Sequence, residues 1–120
     1  MRIKDASVET KFHPMITAFL FKLNTRLDSY GQQVTITSGS ESMTRHGKNS
    51  LHYATPACAA DIRSWTFSFN GIEYDATMQK DIIDRCASDF CSFEGIPREW
   101  LEIIQEHNHF HIEYQPKRQD

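Results

Sequence analysis

His109-Phe110-His111-Ile112-Glu113-Tyr114 is the stretch that decides how this chain folds. Phe110, Ile112 and Tyr114 alternate with His109, His111 and Glu113, and a period of two belongs to a strand with one face buried. One face of the strand therefore packs, and the other presents two imidazoles and a carboxylate. Upstream, the residues from Trp100 onward predict a strand pair, or a strand with an interrupted turn, over 100–114. Pro97-Arg98-Glu99-Trp100 reads as an irregular bridge into it.

Moving outward, Ala57 to Trp65 reads as a second strand around Ile62, and Thr66-Phe67-Ser68-Phe69 continues extended as far as Asn70-Gly71. Asn-Gly is the dipeptide that a tight hairpin turn favours, so it predicts a hairpin into Ile72-Glu73-Tyr74. β-Branched Gln33-Val34-Thr35-Ile36-Thr37 predicts a strand feeding the breaker run Ser38-Gly39-Ser40. Two segments carry helical spacing instead: Met15, Phe19, Leu20, Leu23 and Leu27, with Pro14 ahead and Tyr30-Gly31 as the stop, then Ala76 to about Phe90 through Met78, Ile82, Ile83 and Cys86. Residues 39–56 are polar, lack an apolar period and read as a long surface loop. The expected fold class is α+β, a small mainly antiparallel sheet with helices packed on one side, in a single domain over 1–120.

Composition narrows the function classes. The 120 residues are 39% hydrophobic and 24% charged, with a formal charge of −3. That balance argues against broad electrostatic binding of nucleic acid or of an anionic membrane. The longest apolar run, near Ala18-Phe19-Leu20-Phe21, is far too short to span a bilayer, and Met1-Arg2-Ile3-Lys4-Asp5 runs into polar residues with no apolar leader. Cys58, Cys86 and Cys91 are odd in number and lack a C-x-x-C spacing, which reads as reduced thiols, with a Cys86–Cys91 bridge the lesser alternative. Core packing accounts for Cys86, and Trp65 and Trp100 read as core or cleft-wall aromatics.

The six histidines are grouped. His46 and His52 flank one loop, His107, His109 and His111 crowd one strand entry, and Asp61 stands between the groups; His13 is set aside as structural. Imidazole nitrogen and carboxylate oxygen are the usual ligands of a catalytic zinc, which takes three protein ligands and keeps a fourth position open. Two histidines with Asp61 satisfy that count. Glu106, three residues before His109, is spaced to stand beside such a metal without ligating it and to serve as general base. His111 shares the face of His109 and is open to three roles: third ligand, transition-state stabiliser, or a group orienting its neighbours.

These residues resemble a known family. Ser50-Leu51-His52-Tyr53, followed by Ala57-Cys58-Ala59-Ala60-Asp61-Ile62, looks like the S-x-H-x-x-G-x-A-x-D block of the M15 zinc peptidases, the group of D-Ala-D-Ala carboxypeptidases and phage L-alanyl-D-glutamate endopeptidases. Glu106 to Tyr114 resembles that family's closing E-x-x-H-x-H block, and Val34-Thr35-Ile36-Thr37-Ser38-Gly39 is similar to the strand and Ser-Gly turn before its first histidine. The chain departs from the pattern in a His52–Asp61 interval two residues longer, which a bulge around Thr55-Pro56 would absorb, in Ala57 at the glycine position, and in Ser40-Glu41-Ser42 where the family carries an arginine.

The resemblance implies a hedgehog/D-Ala-D-Ala peptidase-like fold holding Zn2+ through His52, Asp61 and His109, with Glu106 as catalytic base. Ser50 would hold a substrate carboxylate or support the metal loop, Arg45 or Arg63 would stand in for the missing arginine, and His111 would face the substrate. The implied reaction is hydrolysis of a peptide bond in the bacterial peptidoglycan stem peptide. It would be carried out by a monomer that inserts in no membrane and binds no nucleic acid. Lack of a leader then suggests a phage or prophage endolysin, cytoplasmic until released to the cell wall. The alternatives are a non-catalytic zinc-binding module of the same fold and a dipeptidase acting on small soluble D-amino-acid peptides.

Overall fold

β7 (His109–Tyr114) lies inside the sheet with the alternation its sequence predicts: Phe110 and Ile112 are fully buried and Tyr114 nearly so, while His109, His111 and Glu113 are only partly covered. The computed structural model describes residues 1–40 and 58–116. Ahead of β7 in chain order come β1 (Arg2–Ile3), α1 (Pro14–Asp28), β2 (Thr35–Ser38), β3 (Ala59–Arg63), β4 (Phe67–Phe69), β5 (Ile72–Tyr74), α2 (Ala76–Glu94), a 3-10 turn at Arg98–Trp100 and β6 (Leu101–Gln105). Five strands form one sheet in the order β1-β2-β3-β7-β6, and β4 and β5 make a separate hairpin. Every pairing in the large sheet is antiparallel except β1 on β2. The expected α+β class with a mainly antiparallel sheet is what the chain forms.

The core lies against one face. Ile16, Phe19, Leu20, Leu23 and Leu27 of α1 and Ile82, Ile83, Cys86, Ala87 and Phe90 of α2 join Ile36, Ile62, Leu101, Phe110 and Ile112 of the sheet in one buried cluster. Each such large side chain contributes about 1.5–3 kcal/mol when removed from water. The helices touch each other through Phe19 and Phe90, edge to face with ring centres 5.6 Å apart, and through Arg26 and Asp89 at 2.8 Å. The other face of the sheet carries Asp61, Arg63, His109, His111 and Glu113, the residues of opposite parity on β3 and β7.

Local chemistry sets the ends of the elements. His13, set aside above, is the N-cap of α1: its Nδ1 accepts a hydrogen bond from the Met15 N–H at 3.1 Å, with Pro14 in the first turn. α2 starts on Asp75, whose carboxylate accepts from the Met78 N–H at 2.9 Å, and stops at Gly95 in the left-handed region, φ 70°. It runs one turn past the expected end near Phe90, through buried Cys91 and exposed Ser92, Phe93 and Glu94, until Gly95 supplies the stop. Asn70 (φ 51°) and Gly71 (φ 75°) make the expected hairpin turn between β4 and β5.

Two expectations are corrected. The second strand ends at Arg63 rather than Trp65, and Phe67–Phe69 does not extend it but forms the separate hairpin, whose Phe67 stacks on Tyr74 at 5.1 Å and abuts Tyr30. Buried Gln79 explains the break, since its amide nitrogen donates to the Trp65 and Tyr74 carbonyls, both at 3.0 Å, and bends the chain out of the sheet. β1 was also not foreseen, because two residues show no period. It is held by N–H groups of Arg2 and Lys4 donating to Val34 and Ile36 carbonyls at 2.9 and 2.8 Å. Among the described residues no helix is long and apolar enough to cross a membrane.

Candidate functional site

The open face of β3 and β7 brings together most of the site residues within the described chain. In the antiparallel register Asp61 lies opposite His111 and Arg63 opposite His109. Residues facing each other across such a pair hold their side chains in contact range. Glu106 sits where β6 turns into β7, its N–H donating to the His109 carbonyl at 2.9 Å. A register shift between Ile36 and Ser38 on β2 brings Ser38 opposite Asp61, and the Thr37 hydroxyl donates to the Asp61 carbonyl at 3.3 Å. Bulges commonly re-aim side chains in this way at the edge of a site.

His109 is the hub. Its Nε2 lies 3.4 Å from Glu106 Oε1 and 3.8 Å from Asp61 Oδ2, and its Nδ1 is 2.7 Å from Asn108 Oδ1. An amide oxygen only accepts, so Nδ1 carries the proton and, in the neutral ring, Nε2 presents a lone pair toward the two carboxylates. A hydrogen bond at the far nitrogen is the arrangement by which proteins orient a histidine ligand.

His111 is held differently. Its Nδ1 is 2.7 Å from Asp61 Oδ1 and its Nε2 is 2.7 Å from Glu113 Oε1. Burial alone would push the imidazole toward neutrality, but the hydrogen bonds and negative charges of Asp61 and Glu113 outweigh it, and its pKa is pushed up to about 9. At neutral pH His111 is an imidazolium with both N–H groups engaged. It thus braces Asp61, leaving that carboxylate's second oxygen turned to His109.

Asp61 and His109 suit zinc as a donor pair. Two ligands of a tetrahedral zinc, each about 2.0–2.1 Å from the ion, stand about 3.3 Å apart. The 3.8 Å between Asp61 Oδ2 and His109 Nε2 is closed by a side-chain adjustment of a few tenths of an ångström per residue. Among the described residues no group of three His, Cys, Asp or Glu is placed to hold a metal. The third expected ligand, His52, lies outside the described residues, as do Ser50, Arg45, His46 and the bulge expected at Thr55-Pro56. Side-chain exposure rises from 14% at Asp61 and His111 to 46% at Glu106. The ligand-type groups are therefore enclosed, and the base-type group meets solvent.

Arg63 continues the same face. Its guanidinium lies over the Trp65 ring, 3.7 Å from the centre, and Trp65 is 65% exposed. Trp65 is an outer wall, not core; Trp100 is the aromatic packed against the core. Glu113 as the second partner of His111 escaped the sequence reading, although its place two residues on along an alternating strand is the signal that finds it. Asn108 carried no signal, because its role depends on the turn geometry. Cys86 and Cys91 are buried in α2, where burial pushes both thiols up and away from metal-binding thiolate chemistry. Comparison with family models, with curated proteins and with solved structures found no match.

Proposed function

We propose that this protein is a zinc-dependent peptidase that hydrolyses a peptide bond in the stem peptide of bacterial peptidoglycan, as an endolysin-type enzyme. The observation that supports it is the convergence on one imidazole edge: His109 Nε2 lies 3.4 Å from a solvent-exposed carboxylate and 3.8 Å from an enclosed one. An enclosed carboxylate and imidazole with an exposed carboxylate beside them is the division between ligands and base that metal-assisted hydrolysis requires. The stem peptide as substrate rests on the likeness of the Ser50–Asp61 and Glu106–Tyr114 segments to the M15 peptidases.

In this reading Asp61, His109 and His52 hold the metal, which when bound supplies Lewis acidity toward the scissile carbonyl and acidifies water. Glu106 accepts the proton of the attacking water and delivers it to the leaving amine. His111 is a positioning residue, because both its N–H groups are given to Asp61 and Glu113. Asn108 fixes the His109 tautomer. Arg63, with Ser50 and Arg45 from the segment between β2 and β3, binds substrate carboxylate.

The test is mass spectrometry of purified peptidoglycan after incubation with zinc-loaded protein, beside a chelator-treated sample and the Glu106→Gln variant. New peptide fragments in the first sample alone are expected, and free L-Ala ends or loss of terminal D-Ala identify the bond. No fragments while zinc stays bound would overturn hydrolysis of the wall and favour a non-catalytic zinc module.

A further inference from the structure

At one end of the large sheet, below the start of β2 and the end of β3, is a cavity of about 340 Å3. Its lining is mixed, with apolar Leu27, Val34, Ile62 and Ile83, none more than 8% exposed, beside glutamines and threonines, and its charged residues among those described are Arg2 and Arg63. Among the described residues no carboxylate lines it, in a chain whose formal charge is −3. Neither arginine has an ion pair within the described residues, while Lys80, Arg26, Arg85 and Arg98 all have one.

The sheet places the two cations deliberately. Arg2 pairs with Thr35 across β1 and β2, and Ile36 pairs with Ile62 across β2 and β3, so one residue further along Thr35 faces Arg63. Arg2, Thr35 and Arg63 form a row over three adjacent strands, each step about 4.8 Å. The arginines are thus about 10 Å apart at the backbone, a span from which two long side chains converge on one anion. Trp65 adds preorganisation. With its guanidinium held over the indole at 3.7 Å, Arg63 loses less freedom on binding, and a guanidinium offers a planar fork that matches carboxylate or phosphate oxygens.

We propose that this cavity binds a small organic anion, a carboxylate or phosphate, with Arg2 and Arg63 on the charge. The volume falls within the range of small-molecule sites. The site shares Arg63 with the peptidase reading but uses no metal and no hydrolytic step, so binding by metal-free protein, and its loss in the Arg2 variant, test it apart from that reading.

The experiment uses metal-free full-length protein carrying Trp100→Phe, so that Trp65 alone reports by fluorescence. It is titrated with octanoate, octyl phosphate and, as the uncharged control, 1-octanol. Saturable changes are expected with both anions and not with the alcohol, weakening as salt is raised. Tighter binding of octyl phosphate assigns phosphate as the preferred head group, tighter binding of octanoate assigns carboxylate, and equal binding assigns a site that takes either anion. Arg63→Gln and Arg2→Gln should each weaken binding about tenfold or more, as loss of a charge-assisted hydrogen bond predicts. Arg63→Lys, which keeps the charge but loses the fork and the stacking, should fall between, and it replaces Arg63→Gln if that variant melts early. Equal affinity for 1-octanol, unchanged affinity in the arginine variants, or no saturation up to about 10 mM would each overturn the proposal.

Discussion

His111 and Asp61 face each other across β3 and β7 and are joined at 2.7 Å between Nδ1 and Oδ1, making an imidazolium–carboxylate pair that is only 14% exposed on either side. With a folded pKa of about 9 against an ordinary value of 6.5, His111 binds its proton more tightly in the native chain than in the unfolded one. The stabilisation is therefore complete below about pH 6.5 and is lost as pH rises through about 9, and for the metal-free protein it amounts to about 3 kcal/mol. Urea unfolding across that interval should show stability falling with pH, and His111→Gln should flatten the fall. A stability that is level or rises between those values would contradict the charged assignment.

Zinc affinity should separate the roles around His109. His109→Ala is expected to lose about a hundredfold or more, Asn108→Ala about tenfold through loss of the orienting bond at Nδ1, and Glu106→Gln essentially nothing. Competition against a chromogenic chelator measures all three. A drop with Glu106→Gln as large as with His109→Ala would make Glu106 a ligand instead of a base.

Gly39 has no room for a side chain. A Cβ there would stand 1.9 Å from the Glu9 carbonyl oxygen, where the Ser40 N–H donates to that same oxygen at 2.8 Å. Because the obstacle is backbone, Gly39→Ala must move the N-terminal segment off the end of β2, costing about 1–3 kcal/mol. At about 3–6 °C per kcal/mol for a chain of this size, thermal unfolding detects the loss.

Gln79 is buried at 6% exposure with its amide nitrogen directed at the Trp65 and Tyr74 carbonyls. Gln79→Leu fits the space but leaves both acceptors without this donor, a loss of about 2 kcal/mol. The effect should fall on the β4–β5 hairpin first, seen as faster amide exchange at Phe67–Tyr74 than in β3 or β7.

The strand pattern at His109–Tyr114, the helix phases and the Asn70-Gly71 turn were legible because each is a local repeat or a local backbone demand. Alternation puts Asp61 and His109 each on the polar face of its strand without needing distances, and Glu106 is paired with His109 by its three-residue spacing across a turn. Three features were not legible. β1 exists only through its partner, so its residues carry no period. β3 stops at Arg63 because of Gln79, which is distant in sequence and reads as an ordinary helix residue. The sequence leaves His111 open to three roles, and it is the register that puts it against Asp61, with Glu113 two residues along, that engages both nitrogens and favours the orienting one.

A sheet covered on one face divides its residues into two sets that answer to different demands. Phe110, Ile112 and Ile62 answer to the helices, and exchanging any of them opens a void that the whole domain feels. Asp61, Arg63, His109 and Glu113 answer to whatever meets the open side, and exchanging them removes no packing from the buried face. The chain can therefore drift in what that face meets while keeping its shape. A variant altered at Arg63 or Glu106 is expected to remain a folded protein, whereas one altered at Asp61 or Glu113 also gives up part of what holds His111.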